Sequence, residues 1–258
     1  MSRKLENARN LYLRGIRDGQ FREAVAEYTG ERYIQHSTGV KDGRDGFIEF
    51  FADFIERNPT RDIQVVRGFE DRRYVLLHAL QSLNGGESQW VTVDFFDTDE
   101  NDRIVEHWDV IAPYAAQTPS GHTSVDGPTE LEDLDRTDAN KALVRAMIED
   151  VLMRGGSPEN IDRYISAEHY IQHNAEVPDG LDHLQMLALD PDRSLVYDEI
   201  VLLVGQGNFV ATLCKAAWRG SPYAQADIFR IEQGLIVEHW DAAEPVPPAE
   251  ESVNSGKF

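Results

Sequence analysis

The stretch Ile104-Val105-Glu106-His107-Trp108-Asp109 returns unchanged as Ile236-Val237-Glu238-His239-Trp240-Asp241. A hexapeptide present twice makes an internal repeat the first thing to test, because a missed repeat miscalls the whole fold. Toward the N-terminus, Asp94-Phe95-Phe96 is matched by Asp227-Ile228-Phe229, and Asp42-Gly43-Arg44-Asp45 by Asp179-Gly180-Leu181-Asp182. Tyr33-Ile34-Gln35-His36 recurs as Tyr170-Ile171-Gln172-His173. The matches keep their order, so the chain is a tandem duplication. One half spans 1–116 and the other 137–246. A linker at 117–136 opens with Gln117-Thr118-Pro119-Ser120-Gly121, and the proline-bearing tail at 247–258 reads as disordered.

Within each half the period of the apolar residues changes once. Leu5, Ala8, Tyr12 and Ile16 share a helical face, as do Leu143, Met147 and Val151. A second short helix carries Phe21, Val25 and Tyr28 in one half and Ile161, Tyr164 and Ile165 in the other, with Ser157 as N-cap and Pro158 at the first helical position. A third helix follows Asp42-Gly43, read as its turn and cap, and stops before Asn58-Pro59; its counterpart stops before Asp190-Pro191. Strand patterns take over at 62–70, 73–82, 88–97 and 103–111, and again at 195–204, 208–218, 222–231 and 235–241. Three helices on an antiparallel meander, twice, is an α+β architecture.

The last hairpin places the chemistry. A loop at Glu232-Gln233-Gly234 pairs Phe229 with Val237 and Asp227 with His239. Alternation then gathers Asp227, Phe229, Ile231, Val237, His239 and Asp241 on one face, with Ile228, Arg230, Ile236, Glu238 and Trp240 on the other. In the first half Asp94 meets His107 and Phe96 meets Val105; Trp90 and Thr92 join that face, as Tyr223 and Gln225 do in the second. A carboxylate beside an imidazole among aromatics can be poised near neutrality for acid–base work. The expected catalytic residues are therefore Asp94, His107, Asp227 and His239. Those expected around the substrate are His36, Trp90, Phe96, Asp109, His173, Tyr223, Phe229 and Asp241. Tyr and His of the Tyr-Ile-Gln-His motif fall on opposite faces, and the sequence does not choose which faces the cavity. His78 aligns with Thr212, an inequivalence between the halves.

Composition narrows the partners. Forty-six acidic against 25 basic residues give a net charge of −21, so nucleic acid and anionic membrane are excluded as expected partners. No apolar run reaches the roughly 18 residues a membrane span needs. The lone Cys214 and the polar start suggest a cytoplasmic protein, with Cys214 as core packing. Histidine spacing supports no metal site, and no cofactor is expected.

The motifs quoted above resemble those of the SnoaL-like polyketide cyclase family in the NTF2-like superfamily. Tyr-Ile-Gln-His, Asp-Gly, Val93-Asp94-Phe95-Phe96 with Ala226-Asp227-Ile228-Phe229, and the closing hexapeptide carry that likeness in both halves. It implies two tandem NTF2-like (cystatin-like) cone-shaped α+β barrels, each with three helices on a curved sheet. It also implies cofactor-independent acid–base chemistry on a small apolar carbonyl compound held in the cone: enolisation with aldol cyclisation, or isomerisation. The alternative is a non-catalytic ligand-binding or assembly module, a fused pseudo-dimer in one chain, with a homodimer open to it. Ile228, Ile236 and Trp240, with Phe95, Ile104 and Trp108, are the outer-face residues expected to form that pairing. An epoxide-hydrolase reading would need an arginine in the cavity, and the parity of Arg230 points it away. The departures from the simple pattern put a second active site in doubt more than the first.

Overall fold

The structure, a computed structural model, describes residues 1–153, 158–182, 184, 185 and 194–258. It divides into two units: Met1–Pro113 with Pro247–Phe258, and Tyr114–Val246. The segment expected as a free linker thus belongs to unit 2. The tail expected to be disordered is part of unit 1, because its polar groups find specific partners there.

In unit 1, helix α1 (Arg3–Asn10) starts at Ser2, whose hydroxyl accepts the Leu5 N–H at 3.4 Å. It widens into π-helical turns over Leu11–Arg17, followed by α2 (Phe21–Tyr28), β1 (Thr29–Gln35) and α3 (Gly43–Arg57). Strands β2 (Arg61–Asp71), β3 (Tyr74–Leu83), β4 (Ser88–Thr98) and β5 (Ile104–Pro113) complete a sheet of order β1-β5-β4-β3-β2. β1 runs parallel to β5, so the sheet is mixed rather than antiparallel. Gly30, Glu31 and Arg32 mask β1 in the sequence, since none favours strands. Tyr12, Ile16, Phe47, Ile63 and Phe96 meet in the core between helices and sheet.

Unit 2 repeats the plan. Helix α4 (Thr137–Met147) widens over Ile148–Leu152, and a 3₁₀ segment (Pro158–Arg163) takes the place of α2. The short strand β6 (Ile171–Gln172) precedes β7 (Leu195–Gln206), β8 (Phe209–Trp218), β9 (Ser221–Glu232) and β10 (Leu235–Pro245), in the order β6-β10-β9-β8-β7. The Ser157 cap and the helix end at Asp190-Pro191 lie outside the described residues. Cys214 is buried in the unit 2 core, where burial pushes its thiol far up and leaves it inert. No helix among the described residues is long and apolar enough to cross a membrane.

The hairpin register differs from expectation by two residues, for two separable reasons. The turn is tighter: Leu235 pairs with Glu232, leaving Gln233 (φ 50°) and Gly234 (φ 82°) in the left-handed region that a two-residue turn requires. One residue later Ile231 pairs with Ile236 but Arg230 with Glu238, so Val237 is an extra, bulged residue. His239 therefore faces Phe229, and Asp241 faces Asp227. Unit 1 bulges at the equivalent Val105, setting His107 opposite Phe96 and Asp109 opposite Asp94. A slip of two preserves the shared face. The bulge has one further effect: Ile104 and Ile236 turn to the helix-covered side and join the two cores instead of the outer face. Phe95, Trp108, Ile228 and Trp240 remain opposite that face, all buried.

Candidate active site

Each repeat brings one aspartate, one histidine and one glutamine into a chain of hydrogen bonds. In unit 2, His239 Nε2 lies 3.1 Å from Asp227 Oδ1, and His239 Nδ1 lies 3.0 Å from Gln172 Oε1. The backbone N–H of Asn174 also donates to Gln172 Oε1 at 3.1 Å, which fixes that atom as the acceptor. His239 Nδ1 must then carry a proton, so the second imidazole proton is the one shared between Nε2 and Asp227. Tyr197 Oη (3.1 Å), Gln225 Nε2 (3.0 Å) and Thr212 Oγ1 (3.3 Å) donate to the same carboxylate.

The glutamine is positioned by a second repeated motif. Asp179 Oδ1 accepts the Gln172 N–H at 2.7 Å, as Asp42 Oδ1 accepts that of Gln35 at 2.7 Å. Gly180 (φ 88°) and Gly43 (φ 81°) follow in the left-handed conformation. The Asp-Gly pair read as a helix cap thus spends its carboxylate on the strand that carries the glutamine; Asp42 makes no side-chain capping bond.

Unit 1 builds the same chain from partly different donors. His107 Nε2 is 2.9 Å from Asp94 Oδ1 and Nδ1 is 2.9 Å from Gln35 Oε1. Asp94 accepts from Tyr12 Oη at 2.6 Å and Thr92 Oγ1 at 2.7 Å. The tyrosine comes from the first helix here and from β7 in unit 2. Phe96 and Phe229 stack on His107 and His239, with centroids 4.7 and 4.9 Å apart.

The fourth group separates the units. Asp241 accepts from the Asn174 amide at 2.8 Å and from Gln225 at 3.2 Å. Its withdrawal from water pushes this carboxyl up; His239 opposes, and the charge of Asp227 adds to the rise. His239 is also raised: desolvation lowers it, but the hydrogen bond to Asp227 and the charges of Asp241 and Asp227 outweigh that. In unit 1, Asp109 meets Lys257 Nζ at 3.2 Å. Burial pushes Asp109 up, but the Lys257 ammonium, His107 and the Ser37 hydroxyl reverse it and hold the carboxyl below its ordinary range.

A cavity of about 610 Å³ opens onto the unit 2 group. Met147, Val151, Ile161, Ile165 and Tyr170 line its apolar side, with Tyr223, Phe229, Asp227, His239 and Asp241 on the sheet side. Its size suits a small organic molecule.

Other expected residues fall elsewhere. Trp90 shares the parity of Asp94 but lies four residues along β4, roughly 13 Å away at strand spacing, and is 38% exposed. His173 faces away from the cavity, because Tyr170 and Gln172 take its side, and in unit 1 His36 lies on the face of β1 opposite Tyr33 and Gln35. His36 stacks on Trp108 and meets Glu106 at 3.0 Å; His173 stacks on Trp240 and meets Glu238 at 2.8 Å. His78 pairs with Val93 on the outer side, while Leu77 opposes Asp94 and Thr212 opposes Asp227. The inequivalence of the halves therefore rests on Leu77 and Thr212, not on His78. Arg230 is held away from the cavity by Glu238, at 2.6 Å. Among the described residues, Asp94–His107–Asp109 and His122–Asp126–His173 come close enough to share a metal ion. The first already holds an ammonium, and both nitrogens of His173 are engaged by Thr123 O and Glu238.

Sequence reasoning missed Gln35, Gln172, Tyr12, Tyr197, Asn174 and Lys257. The glutamines carried a signal: they stand inside the repeated motif at the parity of its tyrosine.

Residues 10–107 match the SnoaL-like domain profile. No curated protein matches the sequence. Among solved structures, similarity is found to IdmH from Streptomyces antibioticus, described as a polyketide cyclase (16% identity, 43% of this chain and 92% of that one, TM-score 0.38). A Jannaschia sp. CCS1 protein described as a SnoaL-like polyketide cyclase is 20% identical over 42% of this chain and 84% of its own (TM-score 0.36). A Mycobacterium tuberculosis LEH-like epoxide hydrolase is 17% identical over 42% and 82% (TM-score 0.36). Residues 10–107 thus match a SnoaL-like domain, and the chain carries two α+β units in tandem, each built on a five-stranded mixed sheet.

Proposed function

We propose that unit 2 is a cofactor-independent acid–base site for a small apolar carbonyl compound, acting by enolisation followed by cyclisation or isomerisation. The observation that carries this reading is that the Asp227–His239 pair and Asp241 open together onto an apolar cavity of about 610 Å³. Asp227 is the base: its carboxylate lies against His239 Nε2 and accepts from Tyr197, Thr212 and Gln225, which hold it in place facing the cavity. Asp241, whose carboxyl is pushed up, is the acid. The α C–H proton passes to Asp227, the C–H electron pair moves toward the carbonyl, and its oxygen takes the proton of Asp241. In cyclisation the enol carbon attacks a second carbonyl. The enol proton returns to Asp241, and the new alkoxide takes the proton from Asp227, which restores both groups.

Cavity occupancy tests this with 2-tetralone as probe. Saturation-transfer NMR should show the ketone bound to the wild-type chain and lost in Ala243→Trp, a substitution in the cavity lining. Equal binding to both would place the ketone elsewhere and sink the reading.

A further inference from the structure

The C-terminal segment is anchored to unit 1 residue by residue. Asn254 Nδ2 donates to the carbonyls of Ser37 and Val40, both at 2.8 Å. Ser255 Oγ donates to Asp42 Oδ2 at 2.9 Å, and His36 Nδ1 donates to the Gly256 carbonyl at 2.5 Å. Lys257 follows, and its side chain is 2% exposed with Nζ 3.2 Å from Asp109 Oδ1.

This lysine is one of only five in a chain with 46 acidic residues, so surface carboxylates are abundant partners. Burying an ammonium is unfavourable unless charge and hydrogen bonds compensate it. Unit 1 offers that compensation, because ligand atoms of Asp94, His107 and Asp109 cluster within 4.8 Å of one another. Unit 2 answers differently at the equivalent carboxylate, where the neutral Asn174 amide is the donor. The opposite displacements of Asp109 and Asp241 agree with that contrast. One site is matched to a cation and its twin to a neutral ligand.

We propose that the Asp109 site of unit 1 is a receptor for a primary alkylammonium group, and that residues 254–257 are its tethered ligand. The tail is then a removable plug, and a small primary amine is the ligand class unit 1 accepts when the tail leaves. The proposal does not depend on the chemistry assigned to unit 2.

Reductive methylation of the intact wild-type chain, read by peptide mass, tests the occupied state. Lys257 should react at least about 10-fold more slowly than Lys4, Lys41, Lys141 and Lys215, because it must open first. Asp109→Asn should remove most of that protection. Equal rates for all lysines in the wild-type chain would overturn the proposal. Lys257→Ala tests the receptor: n-butylammonium should raise its Tm saturably, n-butanol should not, and Lys257→Ala with Asp109→Asn should not respond. Equal rescue by butanol, or rescue without Asp109, would show an apolar hole and overturn the ammonium assignment. Should Lys257→Ala fail to fold, Asp109→Asn decides: Lys257 protection that survives that substitution would overturn the ammonium assignment.

Discussion

Glu238→Ala and Glu106→Ala remove the same residue from the two copies of one motif, and the structure predicts very different costs. Glu238 is 1% exposed and lies between two buried groups: Oε1 2.8 Å from His173 Nε2 and Oε2 2.6 Å from Arg230 Nε. Removing it strands the Arg230 guanidinium, which is itself 8% exposed. Breaking a buried pair from one side costs about 3–5 kcal/mol. Arg230 keeps Glu232 at the rim, so the lower figure of about 3 kcal/mol applies here. Glu106 instead holds Arg32, whose side chain is 61% exposed, at 3.2 Å. Such a pair is worth about 1 kcal/mol or less, and His36 keeps its bond to Gly256. In thermal unfolding, Glu238→Ala should lower Tm by roughly 6–12 °C and Glu106→Ala by roughly 4 °C or less. Glu238→Gln, which keeps the shape and an acceptor for Arg230, should fall between. Equal losses for the two alanine variants would refute the assignment of the buried triad as the stabilising element.

Tyr197→Phe removes one donor to Asp227 while three remain, so it should cost about 1 kcal/mol in urea denaturation; no loss would show that the hydroxyl is not bonded there. The pH response should have opposite signs in the two units. His239 and Asp241 are raised, so their stabilisation is full below their ordinary values and is lost as pH rises through the folded ones. Asp109 is lowered, so its contribution is present above the ordinary carboxylate range and is lost as pH falls through its folded value. Hydrogen exchange should show Asp241→Asn removing a loss of protection in unit 2 toward high pH, and Asp109→Asn removing one in unit 1 toward low pH; changes of the same sign would contradict the assignment. Gly46→Ala drives a Cβ into the Lys41 carbonyl and should destabilise unit 1 by about 1–3 kcal/mol, read by denaturant midpoint.

The duplication and the late strands were legible because they rest on period and repetition, which are local properties. The shared face of Asp227, His239 and Asp241 was legible for the same reason: a register error of two leaves parity intact. The bulges at Val105 and Val237 were not, since a bulge is decided by sheet curvature rather than by any residue type at the site. β1 stayed hidden because its pairing with β5 spans most of the unit, and Gly30, Glu31 and Arg32 look like a turn. The orientation of His36 and His173 needed the partners on the far side of the sheet, Glu106 and Glu238. Lys257 was missed because a polar tail has no periodicity, and its anchors lie more than 200 residues earlier in the chain.

In the proposed reaction Asp227 of unit 2 removes the proton beside the carbonyl, and Asp94 of unit 1 takes no part. Solvent deuterium exchange at the α-carbon of 2-tetralone, followed by NMR, measures that step without knowledge of the natural substrate. Exchange should be catalysed by the wild-type chain, reduced by about 10²-fold or more in Asp227→Asn and unchanged within a factor of about two in Asp94→Asn. Exchange that survives Asp227→Asn, or that is lost in Asp94→Asn alone, would contradict it.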